Sequence, residues 1–178
     1  FTYIDDMSIA YTGGGTPISH SGNKSVVIYT AANADAAKYS SHANNLEHLQ
    51  GVAQRLSLDD SKKYKLQFFY YRPNLVWGTT DVAANINHAE KIVVGIVSST
   101  EANVNTDYTY EEVITLEKTE GWKEYNITFD LPDIIQKNPG KSFEKCAIFF
   151  NIVPEIDSAQ KTLKTLVNLD DISLTETK

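Results

Sequence analysis

The chain has 178 residues, 16 of them basic and 23 acidic, for a net charge of -7. That length suits one domain able to bury about two-thirds of its unfolded surface and to fold without staples. The acidic balance argues against nucleic acid or an anionic membrane surface as partner and leaves neutral or cationic ligands open.

No window reaches the roughly 20 apolar residues of a membrane span, so membrane insertion is not expected. There is no basic start followed by an apolar signal core, and with no initiating Met the chain reads as a mature or excised piece. Cys146 is the single cysteine and sits in the apolar run Ala147-Ile148-Phe149-Phe150, which makes it a core thiol and leaves the redox compartment undecided. Ten tyrosines, seven phenylalanines and two tryptophans among many Thr, Val and Ile favour strands over helices.

Tyr3 to Tyr11 is the first predicted strand, ended by Thr12-Gly13-Gly14-Gly15-Thr16-Pro17, a flexible break. Residues 1–11 either pack into a single sandwich domain spanning 1–178 or form the last strand of an upstream module. Ser25 to Tyr29 follows a polar turn and predicts a short buried strand. Ala31 to Leu49 reads as a loop with one short helix near Ala31–Ala37.

Gly51 to Leu58 and Tyr64 to Tyr71, separated by Asp59-Asp60-Ser61-Lys62, predict a hairpin. In its second strand Tyr64, Leu66, Phe68 and Tyr70 share the core face, while Lys65, Gln67, Phe69 and Tyr71 share the other. Asn74 to Glu90 is expected to be a loop containing Trp77 and His88. Strands are predicted over Lys91–Ser98, Tyr108–Leu116, Tyr125–Leu131, Phe143–Val153 and Thr165–Thr175, with one helical turn at Asp133–Lys137. Eight or nine short strands at this spacing predict an all-β, two-sheet antiparallel sandwich of the jelly-roll kind.

Near the ends, Tyr3-Ile4-Asp5-Asp6-Met7-Ser8-Ile9 echoes Asn168-Leu169-Asp170-Asp171-Ile172-Ser173-Leu174, which suggests that the two terminal strands are partners. Leu169 and Ile172 are both apolar and three apart, so a bulge is expected at Asp170-Asp171.

No enzyme motif is present. Gly13-Gly14-Gly15 lacks the strand, helix and Lys of a phosphate loop. His20, His42, His48 and His88 show no metal spacing and read as solvated loop residues. Glu111 and Glu112 are adjacent on a strand and point to opposite faces, a poor arrangement for glycoside hydrolysis.

Four segments in order carry a resemblance: Gly51 to Leu58, Lys63 to Tyr70, Gly121-Trp122 through Phe129, and Leu169-Asp170-Asp171-Ile172-Ser173-Leu174. The chain resembles the jelly-roll carbohydrate-binding modules of families four, nine and twenty-two, with a galactose-binding-like sandwich. The usual Asn-Gly-x-Phe-Glu opening is absent, and Tyr3 to Ile9 stands in its place. The resemblance implies a structural calcium where the first and last strands meet, binding of a poly- or oligosaccharide across one sheet, and no catalysis. It also implies an extracellular, periplasmic or cell-surface location within a larger multidomain or surface assembly.

Within that frame Asp171, Asp170 and Asp6 are the candidate calcium ligands, with solvated strand-end carboxylates as the alternative. Phe69, Tyr71, Arg72 and Trp77 form the candidate ligand face, with Gln67 as a polar contact, because sugar C–H faces stack on aromatic rings while hydroxyls need donors and acceptors. Arg55 and Asn151 are expected on that face from the facing strands. Trp122 is expected to be a structural plug. The alternative to a binding module is a sandwich used as a spacer or for protein contact, without glycan affinity.

Overall fold

The computed structural model describes residues 2–3, 9–10, 19–22, 25–29, 51–72, 86–88, 91–98, 109–119, 121–153, 159 and 164–177. Their alternating apolar residues build two facing sheets. The first contains β1 (Thr2–Tyr3), β4 (Gly51–Leu56), β7 (Lys91–Ser98), β8 (Tyr110–Thr115) and β10 (Cys146–Val153), in the order β1-β4-β10-β7-β8. The second contains β2 (Ile9–Ala10), β3 (Val26–Tyr29), β5 (Lys63–Tyr71), β9 (Lys123–Asp130) and β11 (Lys164–Thr177), in the order β2-β3-β11-β5-β9. A short β6 (Ile86–His88) runs parallel to the start of β11; the other pairings are antiparallel. The expected two-sheet sandwich is therefore present.

The core lies between the sheets. From the first sheet, Val52, Ile92, Val94, Ile96, Ile114, Cys146, Ile148, Phe150 and Ile152 enter it; from the second, Ile28, Tyr64, Leu66, Phe68, Tyr70, Ile127, Phe129, Val167 and Leu169 do. Phe68 and Phe150 meet edge to face across the layers, with ring centroids 5.1 Å apart, a favoured aromatic geometry. The helix α1 (Leu131–Lys137) continues directly from β9 and adds Leu131 and Ile134 to this core. Asp130 caps its first turn by accepting from the Asp133 N–H.

Four expectations of strand layout are corrected. Gly51–Leu56 and Lys63–Tyr71 do not form a hairpin, because β4 pairs with β1 and β10 while β5 pairs with β11 and β9. The turn at Asp59–Lys62 exists, with the Lys62 N–H donating to the Asp59 carbonyl at 3.0 Å and Ser61 bonding the Asp59 carboxylate through both its N–H and its hydroxyl. Six residues, 57–62, separate the two strands. At roughly 3.3 Å per extended residue they can cross the roughly 10 Å between packed sheets, so both alternating patterns face one core from opposite sides.

Of the predicted strand over Tyr3–Tyr11, the described residues fall in different sheets, Tyr3 in β1 beside β4 and Ile9–Ala10 in β2 beside β3, while residues 4–8 and 11 lie outside the described residues. The terminal strands are consequently not partners, since β3 stands between β2 and β11. The predicted loop from Asn74 to Glu90 contains β6, a strand too short to announce itself by alternation.

Candidate functional site

In β5 the even-numbered residues are buried, so Lys65, Gln67, Phe69 and Tyr71 lie on the outward face of the second sheet. Strand register extends this face sideways. Gln67 is paired with Asn126 of β9 and Ser173 of β11, and Phe69 with Glu124 and Asp170. Asn126 and Ser173 are exposed, so a row of uncharged amide and hydroxyl groups borders the aromatic end of the strand. There Tyr71 lies against Trp122, with ring centroids 5.6 Å apart and planes inclined by 32°. Trp122 therefore joins the outward aromatic group rather than plugging the sandwich.

Phe69 is covered by a residue that sequence reading assigned to solvent. The His20 ring stacks on it with centroids 3.7 Å apart and planes 14° from parallel, and meets the Trp122 ring in a T-shaped arrangement with centroids 6.0 Å apart. The position of His20 is set by β11. Asp171 adopts φ 45°, and the β5–β11 register shifts between Asp170 and Ser173, which is the bulge expected from the Leu169/Ile172 spacing. With the alternation broken, both carboxylates reach the same turn.

Asp170 Oδ2 accepts the backbone N–H groups of His20 at 2.8 Å and Ser21 at 3.3 Å, and Asp170 Oδ1 accepts the Asp171 N–H at 2.8 Å. Asp171 Oδ1 accepts the Ser21 hydroxyl at 2.6 Å, and its Oδ2 lies 2.6 Å from His20 Nδ1. A carboxylate can only accept, so Nδ1 carries the proton in this pair. These bonds, from His20 first and then Ser21, hold the Asp171 carboxyl below the usual carboxylate range.

Other expected ligand contacts are redistributed. Arg72 is 7% exposed, and its guanidinium donates to the Leu116 carbonyl at 3.0 Å. It is tied into the interior instead of standing beside Tyr71 as a surface donor. Asn151 is 1% exposed, and Arg55 and Asn151 belong to the first sheet. Their side faces away from the common core, as does that of Phe149, which is buried with Ala53 and Val93 in a separate small cluster. The alternation that placed Arg55 and Asn151 on one face is correct; their assignment to the face of Phe69 and Tyr71 is not, because β4 and β10 lie in the opposite sheet. Trp77 and Asp6 lie outside the described residues.

No family model matches the chain, and no curated protein matches it. Among solved structures it is similar to a family 4 carbohydrate-binding module at 15% identity, with a TM-score of 0.53 over 88% of this chain and 74% of that one. A second is a family 61 module in complex with β-1,4-galactotriose, at 11% identity and a TM-score of 0.52 over 99% of this chain and 86% of that one. The fold is that of the carbohydrate-binding jelly rolls.

The calcium that this resemblance implies can be tested against the donors present. Calcium takes six to eight oxygen ligands. All four carboxylate oxygens of Asp170 and Asp171 already accept from N–H or O–H groups, and the Ser21 hydroxyl directs its proton at Asp171. Among the described residues no group of three or more His, Cys, Asp or Glu side chains is arranged to hold a metal ion. Asp6, the third expected ligand, lies outside the described residues, and the carboxylates of Asp170 and Asp171 are engaged by the chain's own donors.

Proposed function

We propose that this jelly roll is a non-catalytic carbohydrate-binding module that takes a neutral poly- or oligosaccharide on the outward face of the second sheet. The observation that carries the reading is the side-by-side placement of Tyr71 and Trp122 next to the row Gln67, Asn126 and Ser173. Flat aromatic surface meets the C–H faces of a sugar ring, and amides and hydroxyls serve its hydroxyl groups. Such contacts need no net charge, which suits a chain of net charge -7. Similarity in fold to modules named for carbohydrate binding supports the same reading. The reading includes export, to an extracellular, periplasmic or surface location, as part of a larger assembly; among the described residues no helix is long and apolar enough to cross a membrane.

Affinity electrophoresis against a panel of neutral polysaccharides tests it. Retardation by at least one glycan is expected, weakened about tenfold by Tyr71→Ala or Trp122→Ala, the effect of losing an anchor contributing roughly 1.4 kcal/mol. Arg55→Ala, on the opposite sheet, should leave it unchanged. Retardation that survives both aromatic truncations rejects this face, and no retardation by any glycan favours a spacer or protein-contact sandwich.

A further inference from the structure

We propose that Ser19–Gly22 is a metal-independent clasp, in which donors from His20 and Ser21 occupy the position between Asp170 and Asp171 that a cation would need, locking the His20 ring over Phe69. Two like-charged carboxylates on consecutive residues repel one another unless positive or dipolar groups stand between them. In this molecule the compensation comes from the chain itself, across 150 residues of sequence, through two backbone N–H groups, one hydroxyl and one ring N–H.

The turn is preshaped for the task. The Ser19 hydroxyl donates to the Gly22 carbonyl at 3.1 Å, and Gly22 takes φ 64°, a left-handed conformation that suits a residue without Cβ. That closure points successive N–H groups of His20 and Ser21 at one oxygen, Asp170 Oδ2, as in an anion-binding nest. The opposite wall is Phe69, paired in register with Asp170, so the same step of the β5–β11 ladder supplies both the acceptor and the ring on which His20 rests. A cation seated between the carboxylates would have to expel these donors and lift the His20 ring from Phe69. The clasp and the metal are therefore mutually exclusive, whatever ligand the neighbouring surface binds.

Thermal melts of the full chain decide between them. The midpoint should be the same with a calcium chelator and with millimolar calcium, and added terbium should give no luminescence sensitised by tryptophan. Ser21→Ala and His20→Ala should each lower the midpoint by about 2–4 °C. His20→Asn, which keeps a side-chain N–H near the Nδ1 position, should recover part of the loss. In proton NMR the His20 ring signals should be shifted upfield by the Phe69 ring and lose that shift in Phe69→Leu. A chelator-sensitive midpoint, sensitised terbium emission, or His20→Ala and Ser21→Ala variants that melt like the parent would overturn the proposal.

Discussion

At the scale of single residues, burial sets the chemistry of Cys146. Its thiol is pushed up to about 12 by loss of solvent, so it stays protonated and unreactive at physiological pH. In the native chain an aromatic disulfide reagent at pH 8 should modify it slowly and to the same rate-limiting extent as global unfolding; rapid stoichiometric labelling would contradict its place in the core. Exposed carboxylates behave oppositely. Asp59 is held low by Ser61, Asp130 by Lys63 and Glu117 by Lys123. A folded-state value below the unfolded one contributes stability above the ordinary carboxylate pKa of about 4, and that contribution disappears as pH falls through the lowered value. Stability should therefore be level from about pH 7 to pH 5 and decline below about pH 4, with a shallower decline in Asp130→Asn. Two features show how unevenly such detail can be read from sequence. The bulge at Asp170-Asp171 was legible because Leu169 and Ile172 break an alternation that must stay in phase with the core. His20 was not, because Ser-His-Ser-Gly looks like any polar turn and its partners lie about 150 residues away.

At the scale of elements, alternation identified nearly every long strand and the correct inward face of Tyr64–Tyr71, since period two is dictated by the pleat. It could not tell which strands are neighbours. The segment Asp59–Lys62 has the chemistry of a turn whether the chain returns within one sheet or passes to the other, and the outward faces of β4 and β10 were therefore merged with that of β5. Close backbone approach is similarly invisible until the sheets are assembled. A Cβ at Gly95 would stand 2.4 Å from the Tyr110 carbonyl oxygen and 2.5 Å from the Phe149 ring, and one at Gly51 would stand 2.0 Å from the Phe150 carbonyl oxygen. Because the obstructing atoms include backbone, neither site can relax cheaply. Gly95→Ala and Gly51→Ala should each destabilise by roughly 1–3 kcal/mol or more in denaturant titrations, as overpacked sites do. Gly121→Ala, with open space around the added methyl, should be nearly silent in the same assay.

For the whole molecule, the layer of large side chains between the sheets is the main source of cohesion. Phe150→Ala should cost roughly 3–5 kcal/mol, since Phe150 is fully buried and meets Phe68 across the layers. A loss under about 1 kcal/mol in urea unfolding would mean that the two layers do not share this contact. β11 occupies an interior position in its sheet, between β3 and β5, and also carries β6. β11 follows both β3 and β5 in sequence, so the strand that joins them is synthesised after each of them. Until then β3 and β5 have no common partner, and the exposed edges are the kind that pair with other chains. The second sheet can close only once this fourteen-residue strand has been made, and a nascent chain that stops short of it is a substrate for chaperones and proteases instead of a smaller working domain.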